Sequence, residues 1–551
     1  MIKPDMINAN NPARDRAALA VEIVFVLLVI SSVILRMANI ASPLFEAHPF
    51  RQTQTAITIW TFVTEGISFF SYQTPVFGPP WQAPFEFPAF QAVAALMVKA
   101  GLQNIDVAAR MANIVFFYLS AFFLFLLSGR FFREQGIAYT VVLCYVLSPY
   151  TIFWSRTSMI DYASVSFALG YFYFFSRLIE EKGGWLISAA TIVCGALGYL
   201  VKITTMPTVV IPLAYLIIKQ LRIDYKACEE CGIFSYIAAE KIFFAKLLTA
   251  IVIPFAAGYL WTVHTDNVKG ASLFTQWLVS ANLEDWNYGT WAQRGSLANW
   301  TAIYGHVKPF APLLFVIVPV GLVFALWHPA RYRAFIYTSS IGAFLTVFIF
   351  FNLYKSHNYY PMAITPFLAL VVGFAVYHLF FVLLKRIKSQ ASSLVKGVSD
   401  PWRKGLIAAV CAVCLISLGY LYIDGAIAYL KPPLIQNKYD KYTLSGFLRG
   451  ITAPNEYIII TDHLWNPSIL YYARRKGFMV NKDYDYGARG LSFLKEHNFT
   501  TIITVRDYPE LLSNWRYALR ISPPGFHIAG YNIYKVTDDP KIFEDFKKLN
   551  E

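Results

Sequence analysis

The stretch Ala17–Ala56, AALAVEIVFVLLVISSVILRMANIASPLFEAHPFRQTQTA, joins a long apolar run to a compact polar cluster. The run Ala17–Leu35 holds a single charged residue and is long enough to cross a bilayer as a helix. The cluster Phe45–Ala56 then brings together a carboxylate, an imidazole, a guanidinium and several amides. Polar groups at the edge of a membrane span are costly to place there and usually mark a site. The stretch therefore indicates a membrane protein with a functional site beside its first span.

The composition of the whole chain is that of a polytopic membrane protein. Of its 551 residues, 57% are hydrophobic and only 15% are charged, and the mean hydropathy is +0.47. Soluble globular chains average about 45–50% apolar and about 25% charged residues. The net charge of +14 does not point to nucleic acid. The basic residues occupy short connectors between apolar runs and form no basic face with interleaved aromatics.

The cysteines indicate neither a disulfide scaffold nor a zinc site. Six cysteines are too few for such a scaffold in a chain of this length. Cys228 and Cys231 form a lone CxxC pair in a basic connector, without the two further ligands that zinc needs. We therefore expect an incidental, reduced pair on the cytoplasmic side.

Eleven apolar runs are predicted to span the membrane, the first of them as an uncleaved segment. They are Ala17–Leu35, Val107–Leu127, Ile137–Phe153, Tyr162–Leu178, Trp185–Val201, Ile203–Ile218, Leu247–Val263, Pro312–Trp327, Ala334–Leu353, Tyr360–Leu384 and Leu406–Ile423. The segment Phe85–Gly101 has an apolar run of only about ten residues, a length typical of interfacial or re-entrant helices. We predict that this segment lies at the membrane interface.

The charges of the connectors decide the predicted orientation. With the N-terminus in the cytoplasm, the inner connectors hold Arg130, Arg133, Lys182, Lys219, Arg222, Lys226, Arg331, Arg333, Lys385, Arg386, Lys388, Lys396, Arg403 and Lys404. The outer connectors hold only scattered basic residues, which is the positive-inside pattern of a plasma (inner) membrane protein. This orientation gathers the unusual polar residues on the outer face: Glu46, His48, Arg51, Arg156, Asp161, Lys202, Lys355 and His357.

The composition changes after the last predicted span. We divide the chain into a transmembrane domain over residues 1–430, with a first outer loop at 39–106, and an outer domain over residues 431–551. Short apolar runs such as YIIIT and TTIITV alternate with helical patterns in the second part, which predicts a small α/β domain with a mostly parallel sheet. It carries neither a GxGxxG motif nor a P-loop, so we assign it no nucleotide.

Two carboxylates are candidate catalytic residues. Glu46 follows the first span and precedes a helical stretch that Pro49 can begin. It is either a general base for an incoming hydroxyl or a structural carboxylate neutralised by Arg51 or His48. Asp161 opens a later span, where it is either a site residue or a favourable charge at a helix N-terminus.

Cations and tyrosines near these carboxylates are candidate phosphate ligands. Lys202, in GYLVKITTMP, lies between two apolar runs with almost no connector, where an anion would compensate its charge. Arg156 either binds phosphate or anchors the chain at the interface. The stretch NLYKSHNYYPMAITP adds Lys355, His357 and Tyr360, although its tyrosines also suit an interface belt.

An ordered set of segments resembles a known superfamily. The set runs from the acidic residue after the first span through PPWQAPFEFPAFQAVAALMVKAGL, AARMANIVFFYLSAFFLFLLSGRFF, SPYTIFWSRTSMID and GYLVKITTMP to KSHNYYPMAITPFLAL. It resembles the GT-C membrane glycosyltransferases, nearest the protein O-mannosyltransferase and lipid A aminoarabinose transferase branch. The resemblance covers roughly Ala17 to Leu384. The chain departs from the family in having Glu46-Ala47-His48 in place of an acidic pair led by aspartate.

The resemblance implies a GT-C-type helical bundle and a polyprenyl-phosphate sugar donor reached from the outer leaflet. It maps the two acidic positions to Glu46 and Asp161, maps the lysine near the donor phosphate to Lys202, and leaves a divalent metal open. Together with the residue patterns it predicts an inverting transfer of a hexosyl or pentosyl group to a hydroxyl of a glycan, lipid or protein. The donor phosphate would be bound by Lys202, Arg156, Lys355, His357 and Tyr360, with His48, Arg51 and Gln52 in support.

Two other classes of function are weighed against this one. A transporter or flippase of lipid-linked glycans would show paired repeats and broken midplane helices, whereas no repeat is visible and the polar residues gather at one face. A non-catalytic scaffold that presents the outer α/β domain is the third hypothesis.

The predicted orientation is testable by cysteine labelling. Cysteines introduced near Arg130 and Arg331 should react only with reagents on the cytoplasmic side, because these connectors carry the excess of basic residues. Those near His357 and in the C-terminal domain should react from outside. Labelling of the C-terminal domain from the cytoplasm alone would contradict a shared outer face.

Overall fold

A computed structural model describes residues 12–227, 233–311, 313–394, 436–480, 487–497, 499–506, 509–521 and 530–549. The CxxC pair Cys228 and Cys231 and the predicted span Leu406–Ile423 lie outside these ranges. The described chain is mainly helical and ends in a small sheet.

The helices that precede the sheet run over most of the chain. They are α1 (Pro12–Met37), α2 (Pro49–Thr64), α3 (Ala89–Lys99), α4 (Ile105–Phe132), α5 (Gln135–Val146), α6 (Pro149–Trp154), α7 (Asp161–Glu180), α8 (Trp185–Lys202), α9 (Pro207–Ala227), α10 (Ile233–Ala239), α11 (Lys241–Gly270), α12 (Glu284–Tyr288), α13 (Trp291–Gly295), α14 (Leu297–Val307), α15 (Leu314–Ala325), α16 (Ala330–Ile349), α17 (Phe351–Ser356) and α18 (Thr365–Leu394). Short 3-10 turns lie at Ile203–Thr205, Gln276–Leu278, Ser280–Leu283, Lys308–Phe310 and Tyr360–Ile364.

Six of the described helices are long and apolar enough to cross a membrane, and a seventh results if α14 and α15, which meet at 82°, form one span. The six spans are Leu19–Met37, Ile105–Phe132, Trp185–Thr205, Lys241–Gly270, Ala330–Ile349 and Tyr360–Phe380. The predicted number of eleven is therefore not confirmed. Helix α5 has only 12 residues. Helices α7 and α9 contain polar and charged residues that lower their mean hydropathy.

The first outer loop forms two helices, as the sequence suggested. Pro49 stands in the first turn of α2, which begins and ends within a residue of the predicted helical stretch. Helix α3 has 11 residues, about 16 Å of helix, whereas a bilayer core is about 30 Å thick. A helix of this length fits the predicted interfacial position. Both helices pack on α4, the long buried helix at the centre of the fold.

The C-terminal domain is built on one five-stranded sheet. Its elements are α19 (Gln436–Ile451), β1 (Tyr457–Thr461), α20 (Ser468–Ala473), β2 (Gly477–Val480), α21 (Gly487–Glu496), β3 (Phe499–Thr504), α22 (Pro509–Leu512), β4 (Tyr517–Ile521), β5 (Asn532–Thr537) and α23 (Pro540–Lys548). The strand order is β2-β1-β3-β5-β4. Strand β1 is parallel to β2 and β3, whereas β5 is antiparallel to β3 and β4. The sheet is therefore mixed and not mostly parallel.

The first outer loop adds a short extended segment to the free edge of β2. The amide of Gly477 donates to the Pro75 carbonyl at 3.1 Å and the amide of Met479 donates to the Val76 carbonyl at 2.9 Å. The amide of Gly78 donates in turn to the Gly477 carbonyl at 3.2 Å. Main-chain pairing of this kind satisfies backbone groups that an exposed strand edge leaves open. The loop and the C-terminal domain are thus one hydrogen-bonded unit.

A buried carboxylate at the start of α4 also links the first outer loop to the C-terminal domain. Asp106 accepts hydrogen bonds from the hydroxyls of Tyr471 and Tyr472, the second at 3.0 Å. The Tyr472 hydroxyl also accepts from the amide of Leu44. All four residues are buried. A buried carboxylate without donors is costly, so these tyrosines stabilise the docked domain.

The double variant Tyr471→Phe/Tyr472→Phe should unfold at a lower temperature than the parent. It removes both hydroxyl donors from a buried carboxylate, a loss worth about 1–3 kcal/mol. Unfolding midpoints of the detergent-solubilised protein, taken at one scan rate, measure the effect. Tyr517→Phe is the control, since the described part of the chain offers the Tyr517 hydroxyl no hydrogen bond. Equal midpoints for both variants would contradict the proposed role of Asp106.

Candidate active site

A polar cleft opens where α2, the loop before α3 and the start of α7 meet. Its empty space, including the part open to its surroundings, is about 380 Å³. Its lining residues are Arg51, Gln54, Thr55, Thr58, Tyr72, Thr74, Phe85, Glu86, Gln91, Met159, Ile160 and Asp161. Hydroxyl, amide and charged groups dominate this wall, and the carbonyl oxygen of the Gln91 side chain is buried without a partner among the described residues. The cleft therefore offers hydrogen-bonding groups to a hydroxyl-rich ligand.

The C-terminal domain forms an outer wall of this region. Trp465, in the loop after β1, packs against Phe50 at 4.4 Å and lies parallel to Phe85 at 5.3 Å, measured between ring centroids. Phe85 is itself part of the cleft lining. The contact links the domain to the cleft, so its docking affects the shape of the site.

Asp161 and Lys202 form an ion pair beside the cleft. Asp161 is the first residue of α7, as predicted. Lys202 is the last residue of α8, where the helix ends before α9. Lys202 Nζ lies 2.5 Å from Asp161 Oδ1, and both side chains are about 95% buried. Since Asp161 lines the cleft, the pair offers a carboxylate and an ammonium group at one place.

Aromatic side chains surround this ammonium group. Lys202 Nζ lies 4.2 Å from the ring centroid of Tyr360 and 5.4 Å from that of Tyr359. His357 stacks on both rings, and His48 contacts His357 at 5.6 Å between ring centroids. Cation–π contacts hold a lysine with little directional constraint, which leaves its donors able to turn toward a ligand.

The two histidines of this cluster are uncharged near neutral pH. Burial lowers the pKa of His357 to about 3, and His48, Arg51 and Lys202 nearby add to the effect. Burial also lowers the pKa of His48, against the opposing hydrogen bond of its Nε2 with Asn358 Oδ1 at 2.7 Å. His357 can therefore offer a phosphate a hydrogen bond but no charge.

Arg51 pairs with Glu86 and not with Glu46. The alternative in which Arg51 neutralises Glu46 is therefore wrong. Arg51 Nη2 lies 3.1 Å from Glu86 Oε1, and Nη1 donates to Gln54 Oε1 at 2.6 Å. All three residues line the cleft. The sequence patterns did not single out Glu86, although a carboxylate in the apolar loop PFEFPAF is the kind of intramembrane charge that marks a site.

Glu46 is buried between two arginines. Its Oε1 accepts from Arg156 Nη2 at 2.8 Å and lies 3.7 Å from Arg110 Nη2. Arg110 also donates to the carbonyls of Ile40 and Ser42, which follow α1. Glu46 and both arginines are at least 94% buried, and neither Glu46 nor Arg156 belongs to the described lining of the cleft. The pairing joins α1, α4 and the loop before α7.

Gln52 also holds the loop before α7 in place, whereas Lys355 lies elsewhere. Gln52 Oε1 accepts from the amide of Ser158, and its Nε2 donates to the Ala47 carbonyl. Lys355, a predicted phosphate ligand, lies in the last turn of α17 and is half-buried. Within the described ranges it makes no ion pair, and its role stays a prediction.

A metal-ligand set is not assembled by these residues. No group of three or more histidine, cysteine, aspartate or glutamate side chains is placed to hold a metal within the described part of the chain. Divalent cations in transferase sites are normally held by clusters of oxygen ligands. The two predicted acidic positions are each paired with a basic side chain, and no step below uses a metal.

The chain is similar to known proteins in one segment and in its overall fold. A family model described as dolichyl-phosphate-mannose-protein mannosyltransferase matches residues 83–228. No curated protein sequence matches the chain. The structure of ArnT from Cupriavidus metallidurans bound to undecaprenyl phosphate is similar with a TM-score of 0.60 at 12% identity, over 92% of this chain and 97% of that one.

The apo structure of the same protein gives a consistent result. Its TM-score is 0.58 at 13% identity, over 95% of this chain and 99% of that one. Identities this low show a shared fold and no more. The shared fold extends over nearly the whole of both chains, and residues 83–228 within it match the mannosyltransferase family model.

Proposed function

We propose that the protein is an inverting glycosyltransferase that moves a sugar from a polyprenyl-phosphate donor to a hydroxyl of a glycan, lipid or protein acceptor. The Asp161–Lys202 pair at the polar cleft carries the proposal, because it joins a proton acceptor and a phosphate-binding cation. The similar ArnT structure is bound to undecaprenyl phosphate, which supports a donor of this class. The positive-inside pattern supports a site on the outer face of the plasma membrane.

The reaction needs one bond to form and one to break. The acceptor oxygen attacks the anomeric carbon of the sugar while the bond from that carbon to the phosphate oxygen breaks. The lipid phosphate leaves with the electron pair, and the proton of the acceptor hydroxyl passes to a carboxylate. A phosphate leaving group needs charge stabilisation more than protonation, which places a cation beside it.

We assign the role of base to Asp161 in preference to Glu46. Asp161 lines the cleft, whereas Glu46 is held by two buried arginines. When the donor arrives, the ammonium group of Lys202 turns from Asp161 to the phosphate. The carboxylate then accepts the hydrogen bond of the acceptor hydroxyl and takes its proton as the new bond forms. Glu46 and Arg156 keep the loop that ends at Asp161 in place.

Phosphate and sugar would occupy neighbouring parts of the site. Lys202 binds the phosphate, with Tyr360 and a neutral His357 as hydrogen-bond partners and Arg51 contributing charge from the cleft wall. Threonine and glutamine side chains of the cleft then meet the sugar hydroxyls. Hydroxyl-lined walls of this kind discriminate between sugars because an unpaired buried polar group is costly.

Complementation separates the two carboxylates. Cells that lack the protein should lose one envelope glycoconjugate and accumulate a polyprenyl-phosphate sugar, both measured by mass spectrometry. Asp161→Asn should restore almost no product, because loss of a general base costs about 10²–10⁴-fold in rate. Glu46→Gln should lower the amount and unfolding temperature of the protein, since it leaves buried guanidinium groups unpaired, at a cost of about 3–5 kcal/mol.

A stable Glu46→Gln protein that makes no product, together with an active Asp161→Asn protein, would instead assign the role of base to Glu46. Product levels and lipid-linked sugars that do not respond to deletion would contradict glycosyl transfer altogether. A change only in the side of the membrane on which a lipid-linked glycan is found would instead favour a flippase.

Lys202→Met should weaken binding of polyprenyl phosphate by about tenfold or more, since it removes a charge-assisted contact. Titration of the purified protein with undecaprenyl phosphate, followed by native mass spectrometry, measures this directly. Lys99→Met is the control, because Lys99 is exposed at the end of α3, away from the cleft lining. Unchanged affinity in the Lys202 variant would show that this lysine serves only as the partner of Asp161.

A further inference from the structure

A second cleft lies at the far end of the helical bundle. Helix α7 begins with Asp161 and ends with Glu180, a distance of about 29 Å along its axis. Beside the Glu180 end, a cleft opens between α4, α7, α9 and α16, with about 280 Å³ of empty space including the part open to its surroundings. It has no part in the proposed transfer reaction, and its ligand is a separate question.

The lining of this cleft combines two cations with an apolar floor. Lys219 and Arg331 supply the charges, while Phe131, Phe335 and Tyr215 belong to the aromatic part of the lining. The guanidinium carbon of Arg331 lies 5.4 Å from the ring centroid of Phe131, which stacks on Phe335. An anionic group at the mouth and a hydrocarbon portion below would match this division.

The cations are only partly compensated by neighbouring carboxylates. Glu180 Oε2 lies 2.9 Å from Arg130 Nη2 but 3.3 Å from Arg331 Nη2, and its Oε1 lies 3.7 Å from Lys219 Nζ. Charge-assisted hydrogen bonds are normally about 2.7–2.9 Å long. Glu180 is therefore used mainly by Arg130, and the two cleft cations have only long contacts with it.

Two further observations indicate unused binding capacity. The Nε groups of Arg130 and Arg331 are buried and donate no hydrogen bond to any described residue. Glu180 and Glu181 together face four cations, namely Arg130, Arg177, Lys219 and Arg331. Two positive charges remain in excess, so an anion would be stabilised here.

The surface around the mouth points to a lipid as the source of that anion. Ile218 and Ile223 on α9 and Ile341 and Phe344 on α16 are exposed by 50–61% on the two helices that flank the cleft. Helix α16 is a candidate membrane span, and its exposed apolar side chains suit contact with acyl chains. Basic pockets between membrane helices are typical binding sites for anionic lipid head groups.

We propose that this cleft binds the phosphate head group of an anionic phospholipid. Lys219 and Arg331 hold the phosphate, the aromatic floor receives the glycerol region, and the acyl chains lie along the exposed faces of α9 and α16. The lipid would add a polar link between α9 and α16, which Glu180 already bridges through its long contacts with Lys219 and Arg331.

Native mass spectrometry of the detergent-purified full chain, titrated with phosphatidylglycerol or phosphatidylcholine, tests the proposal. The parent should bind phosphatidylglycerol at least about tenfold more tightly than phosphatidylcholine. Lys219→Gln/Arg331→Gln should weaken phosphatidylglycerol binding about tenfold or more, since it removes two charged donors. Arg222→Gln/Arg333→Gln is the matched control: it removes the same charge from the same two helices at exposed positions outside the cleft lining, and it should bind like the parent.

A third variant tests the cleft without removing charge, in case the Lys219→Gln/Arg331→Gln protein misfolds. Thr338→Phe keeps every charge but fills the cleft, and it should abolish the preference for phosphatidylglycerol. Equal binding by the parent, the cleft variants and the control would overturn the proposal, as would equal affinity for the two lipids. Inorganic phosphate binding as tightly as phosphatidylglycerol would also overturn it, by assigning the cleft to a soluble anion.

Discussion

The buried pairing of Glu46 with Arg156 and Arg110 is the contact on which the part of the structure around the polar cleft depends. It joins three parts of the chain that are far apart in sequence: the end of α1, the first turns of α4 and the loop before α7. Arginine suits this task because its guanidinium is always charged and presents several donors in a rigid plane. With this pairing fixed, α2 and the start of α7 must face each other, and the polar cleft lies between them.

The buried carboxylates Glu46 and Asp161 differ in the kind of cation that neutralises them. Glu46 is held by two planar arginines, of which Arg156 donates a hydrogen bond to it and Arg110 also donates to the backbone carbonyls of Ile40 and Ser42. Asp161 is held by a single lysine, a flexible point charge resting on aromatic rings. A lysine can exchange one anion for another with a small movement, whereas the arginine contacts define a fixed geometry. A buried carboxylate is thus held in a fixed geometry at one position and by an exchangeable cation at the other.

Local features of this chain were readable from its sequence, whereas tertiary partners were not. Pro49 correctly marked the start of α2, and Asp161 the start of α7, because proline and acidic residues favour the first helical turn. The partners of Glu46 were not predicted, since Arg156 lies 110 residues away and no periodicity records which cation meets which carboxylate. The described residues contain six or seven candidate spans and do not confirm the predicted eleven, because an apolar run does not show whether a helix faces lipid or the interior of the bundle. The runs YIIIT and TTIITV correctly marked β1 and β3, but the reversal of β5 depends on a connection whose direction the strand pattern does not contain.

The strand pairing between the first outer loop and β2 has a consequence for the order of assembly. Lys476 donates to Gln73 across 403 residues of chain, next to the backbone pairing at Gly477. During synthesis the loop is complete long before its partner strand exists, so the loop edge must wait for almost the entire protein to emerge. The entropic cost of bringing the two ends of so long a segment together grows only with the logarithm of its length. Contacts between residues so far apart in sequence nevertheless form late, so this pairing is among the last to form. The polar cleft, whose wall includes Phe85 against Trp465, therefore acquires its finished shape only when the final domain has folded.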